Sequence, residues 1–511
     1  MDGAQATTGR VSDANGAAGR SGSGRWWAII AISVSVLVVG LDLTVLSLAL
    51  PTISVDLHAS TSSLQWITDS YSLVLAAGIL PAGILGDTFG RKKLLIGALV
   101  LFGLSSAACA YATSAGELIA TRALLGVGAS AVFPLSLSVI PVLFGPEDRK
   151  KAITAVASAT MLSFPIGPIV GGYLLDHFWW GSVFLINVPV VALALIAVTF
   201  LLPESRSEQR ARIDVVGVLI SCAGLVALTY GLIKADENGW SDATALATIV
   251  AGALVLAGFV WWERFVDRRG GATRPLVQLD LFRSEGFRWG TILATLVSFV
   301  MFGLLFAMPQ YFQDVKGVDA LGSGVRLLPL IGGMLVAMIG GVRLKIDQKV
   351  ATTAGFALLT AGLWLGATSA AGSGAGFSSM WMAIAGAGLG LAMPSAMNAA
   401  VGALSAERSG SGSALISALR QVGATIGVAL LGTILSNGYT SRLQLPAAVD
   451  AVARRGVAAG VEVATHLRSD QILENVRTAF THGMDILLAT CGGIALASAV
   501  LALIFLPRRA R

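Results

Sequence analysis

The sequence is short of charge. Asp, Glu, Lys and Arg make up 13% of its 511 residues, about half the roughly 25% of an ordinary soluble domain. With 55% hydrophobic residues and a mean hydropathy of +0.78, most of the chain must face lipid or other apolar helices. That excludes a water-soluble globular protein. Cysteine is scarce too. Cys109, Cys222 and Cys491 all fall inside apolar runs, where they read as small hydrophobes and not as a disulfide or metal framework. Of four histidines, His58, His466 and His482 fall in outer connections and His177 at a membrane edge, so metal chemistry is not expected. There is no Gly-x-x-x-x-Gly-Lys-Ser/Thr run, no His-Glu-x-x-His and no Gly-x-Ser-x-Gly. An ATP motor, a zinc protease and a serine hydrolase are thereby excluded as readings. Runs such as Gly386-Ala387-Gly388-Leu389-Gly390 are small-residue packing surfaces, not nucleotide loops. The net charge of +6 does not imply nucleic acid, because the basic residues lie between apolar runs and form no patch. No cofactor is expected.

What is present is a succession of apolar runs. Hydrocarbon thickness asks for about 20 residues per helical span, so 55% of the chain would make roughly fourteen. We place them at 26–50, 64–84, 94–113, 117–142, 152–174, 182–202, 214–234, 243–262, 289–309, 324–342, 351–370, 377–402, 412–436 and 485–506. Residues 1–25, polar and rich in Gly, Ala and Ser, read as a disordered cytoplasmic N-terminus, and the first apolar run is too long for a cleavable signal. Lysine and arginine concentrate in and beside alternate connections. One set comprises Arg10, Arg20 and Arg25, Arg91-Lys92-Lys93, Arg149-Lys150-Lys151, Arg206/Arg210/Arg212, six arginines between 264 and 288, Arg343/Lys345/Lys349, Arg408/Arg420, and the 507–511 tail with Arg508, Arg509 and Arg511. The other short connections hold only Lys234, Lys316 and Arg326. This alternation fits an even number of spans with both termini cytoplasmic. The connection 437–484 is the one long extracytoplasmic segment. It reads equally as a helical hairpin over the pore mouth, through pieces such as 472–480, or as a loose loop.

A few polar residues interrupt the apolar runs. Asp42 lies about nine residues from the outer end of the first span, ~13 Å of helix. Asp69 is ~7 Å into the second span from outside, and Arg122 is ~10 Å into the fourth. An ionisable group at such depth needs a partner or water and is a functional-site hypothesis by default. Arg122 is also shallow enough to snorkel to the outer surface. On the opposite side, Gly83-Ile84-Leu85-Gly86-Asp87-Thr88-Phe89-Gly90-Arg91-Lys92-Lys93 closes the second span. Its glycines permit a tight turn, and Asp87 and Arg91 can reach charged or helix-end partners. The fifth span carries Ser163-Phe164-Pro165-Ile166-Gly167-Pro168-Ile169-Val170-Gly171-Gly172, where proline kinks the helix and glycine lets neighbours approach. Trp66, Tyr71, Phe306, Tyr311 and Trp381 read as packing or interfacial aromatics that could also stack on a cation.

Together these motifs resemble the major facilitator superfamily, and within it the fourteen-span drug:proton antiporters. The Gly83–Lys93 stretch is similar to the signature that latches the cytoplasmic gate, with Thr88 where a basic residue is usual. Leu118-Ile119-Ala120-Thr121-Arg122-Ala123-Leu124-Leu125-Gly126-Val127-Gly128 is similar to the helix-4 motif, whose arginine is implicated in proton coupling. The fifth-span stretch resembles the antiporter motif that marks exporters, with Ala159 and Ser163 in place of two usual glycines. Leu41-Asp42-Leu43-Thr44-Val45 through Pro51, Gln65–Leu73, Phe184–Pro189, Met308–Gln313 and Arg420–Gly423 also resemble that family, and Asp69 resembles the quaternary-ammonium and dye efflux pumps. Trp180-Gly181-Ser182 departs from the usual Trp-Arg-Trp. The span 324–342 lacks the acid of dication-handling relatives. Gly340–Asp347 is a degraded internal echo of the Gly83–Lys93 signature.

The resemblance implies an all-α membrane protein of the major facilitator fold with 14 transmembrane helices, set in the cell membrane. Its divisions are a 26–202 six-helix bundle, a 203–288 segment with two inserted helices, and a 289–506 six-helix bundle. The substrate site is expected between the bundles near mid-membrane. The function implied is proton-driven export of small lipophilic or cationic substrates, with protons and the bilayer as the other partners. Asp42 would be the principal proton and cation carboxylate, Asp69 a second cation contact, and Arg122 a tuner of protonation. Gly83, Asp87, Gly90 and Arg91 would gate, and Gly167, Pro168, Gly171 and Gly172 would set the direction of transport. The alternatives are a dedicated exporter of one metabolite or antibiotic, an uptake permease, and a non-transporting membrane receptor or intramembrane enzyme.

Overall fold

The computed structural model describes residues 22–144, 146–206, 214–269, 275–344, 346–370, 372–404 and 409–507. The greater part of the expected disordered N-terminus, the last four residues of the tail, and Arg210, Arg212, Lys345 and Arg408 lie outside the described residues. The chain opens with α1 (Gly22–Asp56), α2 (Thr61–Phe89), α3 (Arg91–Ala110), α4 (Ala115–Leu143), α5 (Pro146–His177), the single turn α6 (Ser182–Leu185) and α7 (Asn187–Leu201). Next come α8 (Val215–Asn238) and α9 (Ala243–Arg269). A 3₁₀ turn at Leu279–Arg283 precedes α10 (Glu285–Gln310), which ends in a π turn at Tyr311–Val315. Then follow α11 (Ala320–Arg343), α12 (Gln348–Gly366), α13 (Ala375–Gly402), α14 (Ser409–Arg442), α15 (Ala447–Ala453), α16 (Val457–His466) and α17 (Asp470–Phe505).

Long apolar runs make these helices, and short polar side chains start them. Ser60, Ser114, Asp214, Asp319, Asp347 and Ser469 each accept a backbone N–H of the first turn that follows, the usual relief for donors that have no intrahelical partner. Among the described residues twelve helices are long and apolar enough to cross a membrane. The expected span 182–202 is broken at Ile186, so that α6 and α7 share it. The connection 437–484 is helical, not loose. Helix α14 runs on to Arg442, α17 starts at Asp470, and the short pair α15–α16 packs together and onto α17.

Helices α1–α7 pack chiefly on one another, as do α10–α14 with α17. The two groups meet along three seams, α2 against α14, α5 against α11 and α1 against α10. The pair α8–α9 packs on itself and docks on α14 and α2. There Leu232, Ile233 and Ala429 are buried together, with Trp66 against them.

Candidate functional site

Two buried ionisable residues of the first group of helices are joined. Arg122 Nη1 lies 2.5 Å from Asp42 Oδ2, and each side chain is only 1% exposed. Arg122 therefore does not snorkel. Its Nε donates to the carbonyl of Ile67 at 3.2 Å, and its guanidinium carbon stands 4.3 Å from the centre of the Tyr71 ring. The other Asp42 oxygen accepts from Asn187 Nδ2 at 3.3 Å. Asn187 also donates to Ser106 Oγ at 3.0 Å, and Ser106 donates to the Phe184 carbonyl at 2.8 Å. One network thus draws on α1, α2, α3, α4, α6 and α7. The guanidinium fork can serve a carboxylate, a carbonyl and a ring face at once, which a lysine could not. Ser106 was not singled out in the sequence, and Asn187 entered only as part of the Phe184–Pro189 stretch, without a role. The available signal for Asn187 was a polar residue two positions before Pro189 inside an apolar run, where the break at Ile186 lets α7 begin.

Asp69 is not part of this network. It is fully buried, and neither carboxyl oxygen has a hydrogen-bond partner among the described residues. Helix phase explains the separation. Ile67 and Tyr71 turn toward Arg122, and a helix rotates about 100° per residue. Asp69 therefore faces away from Arg122 and shares a face with Gln65, one turn earlier. Gln65 Nε2 donates across the seam to the Ala429 carbonyl of α14 at 3.2 Å. The structure thus brings Asp42 and Arg122 together and leaves Asp69 on the side of the α2–α14 seam. A buried carboxyl group without donors calls for a proton or a cationic ligand.

The fifth-span motif forms another seam. Gly171 lies under Val45 of α1, where an added Cβ would stand 2.8 Å from Val45 Cγ1. Gly172 lies under α11, where a Cβ would stand 2.6 Å from Leu321 Cα and 2.9 Å from the Ala320 carbonyl oxygen. Gly167 backs onto Thr44, and Pro168 backs onto Gly324. One turn after the motif, Asp176 accepts the N–H groups of Ala320 and Leu321 at 3.0 and 3.1 Å. This is a further contact that the sequence did not point to. Gln313 Nε2 donates to the Leu48 carbonyl at 2.9 Å, and Thr61 N–H donates to the Arg455 carbonyl at 2.8 Å. The two groups of helices are therefore bound to each other around this end. Below the seam a cavity of about 20 Å³, lined by Thr44, Pro168, Met301, Leu327, Met334 and Leu389 among others, is almost wholly apolar.

At the other end, Arg91 Nε and Nη2 both donate to Asp87 Oδ1, at 3.0 and 2.8 Å, and Nη1 donates to the Ser138 carbonyl at 3.0 Å. Gly90 makes the turn between α2 and α3 at φ +109°, a region L side chains rarely adopt. Arg91 N–H donates to the Ser205 carbonyl at 2.9 Å, and Lys92 N–H to Glu204 Oε1 at 3.2 Å. All these contacts of Asp87 and Arg91 stay within the first group of helices and the segment after α7. In this conformation none of these contacts reaches across the seam. A Cβ on Gly83 would meet nothing within 4 Å.

The model of the Major Facilitator Superfamily matches residues 32–428. The chain belongs to that superfamily. It is 33% identical over 495 residues to the tetracenomycin C resistance and export protein of Streptomyces glaucescens, covering 94% of this chain and 91% of that protein. It is 32% identical over 483 residues to the multidrug efflux pump LfrA of Mycolicibacterium smegmatis, covering 90% and 92%. It is 31% identical over 493 residues to the methyl viologen resistance protein SmvA of Salmonella typhimurium, covering 93% and 97%. Among solved structures, a bacterial homologue of the human lysosomal transporter Spinster superposes with a TM-score of 0.69 at 15% identity, over 95% of this chain and 98% of that one.

Proposed function

We propose that the protein is a proton-coupled antiporter that exports lipophilic, often cationic compounds across the cell membrane by alternating access. The observation that carries the reading is the buried Asp42–Arg122 pair, with the unpartnered Asp69 one helix face away. The relatives, named for efflux, export and resistance, support the direction of transport. In this reading Asp42 exchanges its ion pair with Arg122 for a proton, and Arg122 keeps Ile67 and Tyr71. Asp69 takes the positive charge of the cargo at the seam. The apolar cavity between the bundles, closed down here, would open around the lipophilic body. Its methionines, Met301 and Met334, adapt to varied shapes. The α5 motif forms the outer seam, and the Gly83–Arg91 turn acts at the cytoplasmic gate.

The architecture in this reading has fourteen spans. Helix α5, with 32 residues, and α12, with 19, have the length to cross and complete the twelve. The divisions are a 26–202 bundle, a 203–288 segment with the inserted α8–α9, and a 289–506 bundle, with both termini cytoplasmic. A second reading, a dedicated exporter of one antibiotic, is favoured by the name of the Streptomyces glaucescens relative. The deciding experiment reconstitutes wild type and Asp42→Asn in proteoliposomes and follows efflux with and without a proton gradient. The variant should insert and lose gradient-driven efflux, and undiminished coupled efflux would sink the assignment. Running it on a panel of cationic dyes and aromatic antibiotics separates broad from dedicated export.

A further inference from the structure

Arg420 opens the Arg420–Gly423 stretch, to which the transport reading gives no role. Its sequence position reads as the edge of a basic connection, yet it lies inside α14, ~16 Å of helix beyond Ser409. Its guanidinium is held where α10, α13 and α14 meet. Nε donates to Ser298 Oγ of α10 at 3.3 Å, and Nη1 donates to Met397 Sδ of α13 at 3.5 Å. Both acceptors are neutral. The first contact is long, and a thioether accepts weakly. No carboxylate among the described residues pairs with Arg420. Glu285 begins α10, ~20 Å of helix short of Ser298, and Glu407, outside the described residues, precedes the start of α14.

A hydroxyl group without a partner shares this place. Helix α10 packs on α14, with Gly423 against the Thr295 carbonyl and Gly427 against the Phe299 carbonyl. The two helices therefore run side by side in one register, which sets Thr291 opposite Leu419 and next to Arg420. Thr291 is 1% exposed, and its Oγ1 has no hydrogen-bond partner among the described residues. Thr291 and Ser298, two turns apart, fall on one face of α10. One turn beyond Ser298, Met301 lines the apolar cavity between the two groups of helices. A cation at this depth costs several kcal/mol unless an anion answers it. A lipid phosphate is out of reach, because the guanidinium stands at Ser298, ~20 Å along α10 from its first residue. The counter-charge has to arrive with what the cavity holds.

We propose that Arg420, with the hydroxyls of Thr291 and Ser298, seats an anionic oxygen group of the cargo, a carboxylate or an ionised phenol. The guanidinium fork meets such a group through two parallel N–H bonds, and either hydroxyl can add a further one. The proposal rests on the export reading for the fate of the cargo, whereas the seat itself is a matter of binding. It also widens that reading. Asp69 serves positive charge at the α2–α14 seam and Arg420 serves negative charge beside α10, so zwitterions and lipophilic acids join the cations as cargo.

Equilibrium binding to the full chain in nanodiscs, read by fluorescence anisotropy, tests the seat. The probes are a rhodamine with a free benzoate and its methyl ester, one aromatic body with and without the anion. Arg420→Gln should weaken binding of the free acid at least about tenfold and leave the ester within about twofold, the loss that a hydrogen bond between charged groups carries. Arg420→Lys, which keeps the charge and loses the fork, should recover part of the free-acid binding. Equal loss of both dyes, or loss of neither, overturns the proposal. Should Arg420→Gln fail to fold, wild type decides. Benzoate ion should displace the free acid more readily than the ester, and equal displacement or none overturns the proposal. The export reading fails separately, as dye binding without gradient-driven efflux, and that result leaves the seat standing.

Discussion

Asp42 and Arg122 meet at 2.5 Å with both side chains 1% exposed, and only one of them can shed its charge. Removing one partner of a buried ion pair costs about 3–5 kcal/mol, because the other is stranded. A stranded carboxylate can take up a proton, but a guanidinium stays charged. Asp42→Asn should therefore destabilise the protein more than Arg122→Gln. The double variant should recover most of the loss. Thermal unfolding of the four proteins in detergent measures the cycle. Equal losses for both single variants would show that the pair does not carry the charge balance of the site.

Asp69 offers the opposite case. No donor touches it, so Asp69→Asn removes no hydrogen bond and replaces a group that is costly to bury as a charge. Its stability should change by no more than about 1 kcal/mol, in either direction. Efflux of a cationic dye should fall at least tenfold, while efflux of an uncharged lipophilic substrate should persist. Paired transport assays with the two substrates check this. Equal loss of both would move Asp69 from cargo recognition to the folding of the α2–α14 seam.

Asp176 joins the two bundles through the N–H groups of Ala320 and Leu321, both at the positive end of α11. The site is exposed, so Asp176→Asn should weaken the seam by only about 1 kcal/mol, roughly a fivefold shift in the balance between closed and open forms of this end. Spin labels at the exposed positions Phe178 and Val325 should report a larger population of long distances in the variant. An unchanged distribution would mean that helix packing alone holds this end.

The helices were legible because a span has to be about 20 apolar residues long whatever it packs against. Their partners were less so. Depth alone grouped Asp42, Asp69 and Arg122, and depth carries no information about helix face. The phase of α2, fixed by Ile67 and Tyr71 against Arg122, is what turns Asp69 away. Hydropathy also ends a span where charge appears, whereas the helix continues. The expected 243–262 stopped one residue before Glu263, and the expected 485–506 began on Asp485, inside a helix that starts at Asp470. Asp314 was lost in the same way, just past 289–309 and within the π turn that extends α10. Glu263 and Asp314 were thereby left outside the spans and Asp485 at the edge of one, although all three carry a buried oxygen with no hydrogen-bond partner among the described residues. Asp176 was invisible for another reason, since its partners are backbone groups of a helix more than a hundred residues away.

Gly172 and Gly83 sit in the two glycine motifs, and the structure separates them. A Cβ at 172 would meet backbone atoms of α11 at 2.6 and 2.9 Å, whereas one at 83 meets nothing within 4 Å. Backbone cannot rotate out of the way as a side chain can, so Gly172→Ala must push α5 and α11 apart. The shift of a packed helix pair costs about 1–3 kcal/mol. The variant should favour the open form of this end by at least tenfold by the same pair of spin labels, and its efflux should fall accordingly. Gly83→Ala should leave both the distances and the unfolding temperature unchanged. If Gly83→Ala nevertheless abolishes efflux, the tight contact at that glycine forms only in the opposite conformation, where the end that carries Gly83 is shut. An unaltered distance distribution in Gly172→Ala would show instead that the α5–α11 seam has slack for a methyl group.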